Sequence, residues 1–143
     1  MAIGMDIKKL FFDRKAVIDR VGKATRKVLS RFGAFVRTTA RGSIRKRKKI
    51  SPPGSPPSSH RGLLKKFIFF GYEPARNSVV IGPVRLSRKP GDAPHTLEHG
   101  GKSTVVEGNR RKRRVKIAAR PFMGPAMARE KPKLPAMWQG SVK

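Results

Sequence analysis

His95-Thr96-Leu97-Glu98-His99 spells H-x-x-E-H. On a helix that spacing sets two imidazoles on one face with a carboxylate beside them, the arrangement by which one class of metalloproteases holds zinc and activates water. The chemistry also needs a third ligand, and the only acids downstream are Glu107 and Glu130. The segment is confined between Pro94 and Gly100, little more than one helical turn. The competing role for the same residues is a polar turn whose side chains cap or pack locally. Gly101-Lys102-Ser103 ends like a phosphate-binding P-loop, but the glycine that G-x-x-x-x-G-K-[ST] requires is Thr96. The strand-like Thr104-Val105-Val106 follows where a P-loop needs a helix N-terminus. His60 lies in a Pro/Ser-rich loop, away from any patterned acid. No Ser-His-Asp or Cys-His set can be assembled. The expectation is therefore no catalytic residue, no metal and no cofactor.

The residue types that dominate are cations. One run is Arg45-Lys46-Arg47-Lys48-Lys49; the other is Arg110-Arg111-Lys112-Arg113-Arg114, with Lys116 and Arg120 beyond it. Each concentrates enough charge to hold phosphates and release counterions. Over 143 residues, 35 Lys and Arg stand against 8 Asp and Glu, a net charge of +27. Such an excess favours polyanions or acidic protein partners. Base-specific reading is not expected, because zinc-finger spacing, RNP aromatics and a helix-turn-helix are all missing. Apolar residues still make up 37%, so the chain can bury a small core. The lack of cysteine rules out disulfides and thiolate metal sites. No apolar run approaches the roughly 20 residues that span a bilayer, and Met1–Phe12 has no long apolar stretch of the signal-peptide kind.

Apolar residues at helical spacing from Ile7 to Val36 predict one long helix over 6–44, with Asp6 as N-cap and Lys and Arg on the opposite face. Asp6, Asp13 and Asp19 occupy its first half, as the macrodipole prefers. About 35 helical residues would extend about 50 Å, so the helix overhangs a small domain and is expected to pack in part on a neighbouring subunit. The stretch 45–60, with four prolines, reads as an exposed basic Pro/Ser-rich loop. Gly62–Lys66 suggests a helical turn. Phe67–Tyr72 and Ser78–Val84 predict a hairpin across Glu73–Asn77, and Lys102–Glu107 with Arg113–Ala119 a second, turning at Gly108-Asn109. Pro94–His99 and Met123–Glu130 predict short helices, and 133–143 an arm. The expected fold is α+β, a single unit over 1–132 in which the long helix packs on a small antiparallel sheet.

The order of these pieces resembles the head–tail joining, or tail-completion, family of siphophages and prophages. The resemblance runs from the long helix through the Pro-rich loop to Val79-Val80-Ile81-Gly82. It continues through Glu98-His99-Gly100-Gly101 to its most specific segment, Arg120-Pro121-Phe122-Met123-Gly124-Pro125-Ala126. Together the matches span roughly residues 10–130. The resemblance implies a structural virion protein of the neck, assembled in the host cytoplasm. It implies a homo-oligomeric ring of six copies between connector or adaptor proteins and the tail terminator or tail tube, around the DNA channel. It implies structural roles for Glu98, Gly100, Gly101, Arg120, Pro121, Phe122 and Pro125. The basic runs would face the DNA end or acidic neighbours, and no membrane is involved. A charge of +27 exceeds what a generic member needs. A nucleic-acid-binding protein of ribosomal or nucleoid type is the alternative that charge and size alone would suit.

Overall fold

A computed structural model describes residues 13–84, 93–106, 108 and 111–142. The fold is α+β. Helix α1 (Arg14–Ser43) leads to α2 (Leu63–Lys66), strands β1 (Ile68–Glu73) and β2 (Ser78–Pro83), and helix α3 (Ala93–His99). Strands β3 (Gly101–Val106) and β4 (Lys112–Ile117), then helices α4 (Met123–Glu130) and α5 (Leu134–Trp138), complete it.

At 30 residues, α1 is about 45 Å long. Its described N-cap is Asp13, whose carboxylate accepts from the Ala16 N–H at 3.0 Å. Asp13 was expected inside the helix; the expected N-cap, Asp6, lies outside the described residues. The buried stripe of α1 runs through Ala24, Val28, Phe32, Val36 and Ala40, four residues apart and so on one face. Ile44 at its end, Leu64, Ile68, Phe122 and Ala126 close the core around it.

The β1–β2 hairpin lies across α1, with Ile68 opposite Pro83 and Glu73 opposite Ser78. Gly33 makes the close approach possible: a Cβ there would stand 2.8 Å from Val79 Cγ2 and 2.9 Å from Phe70 Cδ2. The Arg37 guanidinium donates to the Ile68 carbonyl at 2.9 Å and fixes the hairpin's base on the helix.

The β3–β4 hairpin does not join this sheet. It forms a second two-stranded ribbon, with Gly101 opposite Ile117 and Val106 opposite Lys112. The expected sheet is thus two ribbons, one packed on α1 and one projecting beside α3.

Two stretches expected as extended pack instead. In the Pro-rich loop, Pro57 and Ser51 are buried. The loop closes on itself where the Ser59 N–H donates to the Arg45 carbonyl at 3.0 Å. It is tied across the molecule by the Gly54 N–H to the Ala119 carbonyl at 2.8 Å. The C-terminal stretch folds back through α5, and Leu134 and Met137 pack against the core. Opposite to these, the first turns of α1 carry their apolar stripe past the body: Val17, Ile18 and Val21 are exposed, Ile18 by 58%.

Candidate functional site

Helix α4 starts after Pro121, and its first backbone N–H groups have no partner within the helix. One distant carboxylate takes them. Glu98 Oε2 accepts from the Phe122 N–H at 2.8 Å and the Met123 N–H at 3.0 Å, while Oε1 accepts from the Gly124 N–H at 2.7 Å. The fourth position is Pro125, which has no N–H to satisfy. All four places at the helix start are therefore accounted for by one side chain and one proline. The negative charge also sits at the positive end of the helix. Gly124 leaves the space the carboxylate needs, since a Cβ there would lie 3.1 Å from Oε1.

The rest of the segment supports this clasp. Phe122 is buried in the core at 1% exposure. The Arg120 N–H donates to the Leu97 carbonyl at 2.6 Å. The Arg120 guanidinium donates to the Ser51 carbonyl at 2.8 Å and the Ala118 carbonyl at 3.1 Å. Arg120 thus joins the Pro-rich loop to the exit of β4, and its cation is taken up inside the fold. Gly100 and Gly101 stand at φ +76° and +143°. At Gly100 a Cβ would also meet the Ala119 nitrogen at 3.0 Å and the Ile117 carbonyl oxygen at 3.1 Å, so two constraints demand glycine there.

The H-x-x-E-H segment lies on α3. His95 and His99 do share a helical face, with ring centroids 4.7 Å apart. Glu98 gives both its carboxylate oxygens to the α4 backbone. Of the two acids downstream, Glu107 lies outside the described residues, and Glu130 is 3% exposed and accepts from the Thr39 hydroxyl at 2.7 Å and from Lys133 Nζ at 2.6 Å. These partners, the Lys133 hydrogen bond first, hold its carboxyl below the ordinary value against the opposing effect of burial. Among the described residues no group of three His, Cys, Asp or Glu side chains could share a metal ion. Gly101-Lys102-Ser103 opens β3, so its backbone N–H groups belong to a strand and not to a phosphate-cradling helix start. A hollow of about 430 Å³ between α1 and the C-terminal stretch is lined by Arg20, Lys23, Lys27, Arg31 and Ser141, with no acid or histidine among its lining residues.

The two basic runs end in different surroundings. Arg45, Lys46, Arg47, Lys48 and Lys49 are all exposed in the loop after α1. Arg47 donates to the Ser58 hydroxyl at 2.9 Å, and Arg45 bridges to Ser58 in a short parallel contact. In the second run, Arg110 lies outside the described residues. Arg111, Lys112, Arg113 and Arg114 are exposed. Strand alternation divides this run. Lys112 and Arg114 share one ribbon face with Lys116 and, from β3, Lys102, whereas Arg113 lies on the other with Val105. Lys102 drew attention only as part of the P-loop-like triplet. The signal that would have found it is the period-two spacing of Lys112, Arg114 and Lys116 together with the pairing register.

Comparison with known proteins finds no matching family model, no matching curated protein and no matching solved structure.

Proposed function

We propose that this chain is a structural, non-enzymatic subunit of a bacteriophage neck, forming a ring that joins head to tail and surrounds the DNA channel. The observation that carries the reading is the clasp. Of the residues through which the chain resembles head–tail joining proteins, Glu98 accepts from the Phe122 N–H, Arg120 donates to the Leu97 carbonyl beside it, Gly100 packs on Ala119, and Pro121 and Pro125 flank the start of α4. That these segments meet supports a structural role for them.

The remainder of the molecule supports a part that works in company. The exposed stripe of Val17, Ile18 and Val21 extends the buried face of α1 beyond its own body, and a neighbouring copy would cover it. A channel calls for cyclic symmetry with head-to-tail contacts, and the resemblance suggests six copies. The excess of +27 is neutralised by the DNA end and by acidic faces of the adjoining connector, tail terminator or tail tube. The test is a reconstruction of purified particles of the phage or induced prophage that encodes the chain. Six copies at the head–tail junction are expected, and loss of the chain should leave filled heads and unjoined tails. Particles that lack the chain would overturn the proposal. Recovery of the chain with ribosomes or the nucleoid instead would favour the alternative, a free nucleic-acid-binding protein, to which the exposed basic ribbon lends some support.

A further inference from the structure

One face of the β3–β4 ribbon carries cations and little else. Paired residues of an antiparallel ribbon share a face. The outer face consists of Lys102 opposite Lys116, Thr104 opposite Arg114, and Val106 opposite Lys112, all six exposed. The other face turns toward the body, where Ser103, Val115 and Ile117 are half-buried. The side chains of Lys102, Lys112, Arg114 and Lys116 have no hydrogen-bond or ion-pair partner among the described residues. Like charges directly opposite one another destabilise a ribbon, so Lys102 and Lys116 leave a local repulsion that a bound anion would relieve. Alternate residues along a strand stand about 7 Å apart. Lys112, Arg114 and Lys116 therefore form a straight row with a spacing comparable to that of successive phosphates along one DNA strand.

We propose that this face grips the sugar–phosphate backbone of duplex DNA. Protein interfaces deplete lysine and collect aromatic residues at their centres; this face has four cations and no aromatic ring. Single-stranded nucleic acid is held by stacking bases on aromatic side chains, and none is present here. A two-stranded ribbon is narrow enough to lie against or within the major groove. The grip follows phosphates, contacts that position a protein on the duplex without reading its sequence. Such a contact lets DNA slide. The inference assigns the DNA-facing surface of the proposed collar and rests on that reading for its setting only.

The experiment measures fluorescence anisotropy of a labelled random duplex of about 30 base pairs against the full purified chain over a salt series, where each phosphate contact contributes about 0.9 to the slope of log K on log salt. The triple variant K102Q/R114Q/K116Q should bind at least about tenfold more weakly and lower the slope by about 2 to 3. R14Q/K15Q/R20Q removes equal charge from the start of α1, outside both basic runs, and should change the slope by less than about 1. All six side chains are exposed, and circular dichroism checks that both variants fold. Equal weakening by the two triples would reduce the effect to net charge and overturn the proposal. So would duplex binding unchanged in the ribbon triple, including the case where that triple loses binding to polyglutamate, which would assign the face to an acidic protein. None of these outcomes bears on whether the chain resides in the virion neck, so either idea can fail alone.

Discussion

Glu98 Oε1 accepts a hydrogen bond from the Gly124 N–H at 2.7 Å, across 26 residues of chain. The pair joins the end of α3 to the start of α4 and encloses the whole β3–β4 ribbon between them. Removing the carboxylate leaves three N–H groups of α4 without it. Glu98→Ala should cost about 2 kcal/mol in chemical denaturation. Gly124→Ala should destabilise the native chain, because the new methyl displaces a carboxylate that is already pinned. In the Glu98→Ala background the same change should be neutral or mildly stabilising, through helix propensity alone. Simple additivity of the two would show that the pair is not coupled.

Two glycines of α1 should respond in opposite directions. Gly33→Ala drives a methyl to within 2.8 Å of Val79 and 2.9 Å of Phe70. It should destabilise by about 1 to 3 kcal/mol despite the better helix propensity of alanine. Gly22 has nothing within 4 Å of such a methyl, so Gly22→Ala should stabilise by about 0.5 to 1 kcal/mol. Thermal midpoints of the two variants check both signs.

Glu130 gives stability a defined acid limb. Its carboxyl is held below the ordinary 4.5, chiefly by the hydrogen bond from Lys133 and then by that from Thr39. A lowered folded pKa means that the carboxylate contributes fully above about 4.5, and that the contribution is lost as pH falls through the lowered folded value. Lys133 is itself 56% exposed, so solvent screening keeps the effect to about 1 kcal/mol. Urea titrations of the wild type and Glu130→Gln should differ near neutrality and converge in acid. A gap that widens toward acid would contradict the assignment.

The exposed stripe on α1 should matter to assembly and not to folding. The triple change of Val17, Ile18 and Val21 to Ser, Gln and Ser should leave the monomer's stability within about 0.5 kcal/mol, as for other surface substitutions. It should abolish the higher oligomer that the wild type is expected to show in native mass spectrometry. An intact ring in the variant would exclude this face from the subunit contact.

Much of the fold was legible because it is written locally. The apolar stripe of α1, both hairpins, α3 and α4 follow from periodicity and from the glycines and prolines at their ends. What escaped notice depends on residues far apart in sequence. The Pro-rich loop and the C-terminal stretch read as extended because their anchors are remote: Arg120 for Ser51, and the core cluster for Leu134 and Met137. Composition cannot tell one sheet from two ribbons, since both have the same strands. At the site, the sequence points to Glu98 and to Arg120–Pro125 separately, but no pattern joins a carboxylate to a helix start two dozen residues later. The basic run was visible as a block of charge. Strand alternation, which sends Arg113 to one side and Arg114 to the other, becomes meaningful only once the pairing register is known.

The clasp has a consequence for what can change in this molecule. Because Leu97 and Glu98 on one side meet Arg120 and Phe122 on the other, the ribbon leaves and re-enters the body at a single sealed stem. Residues inserted beyond Val106 and before Lys112 would lengthen the finger without moving its root, and doubling such a connection costs only about 0.6 kcal/mol of closure entropy. The reach and charge of the finger are therefore free to vary, while the hub that carries it stays as it is.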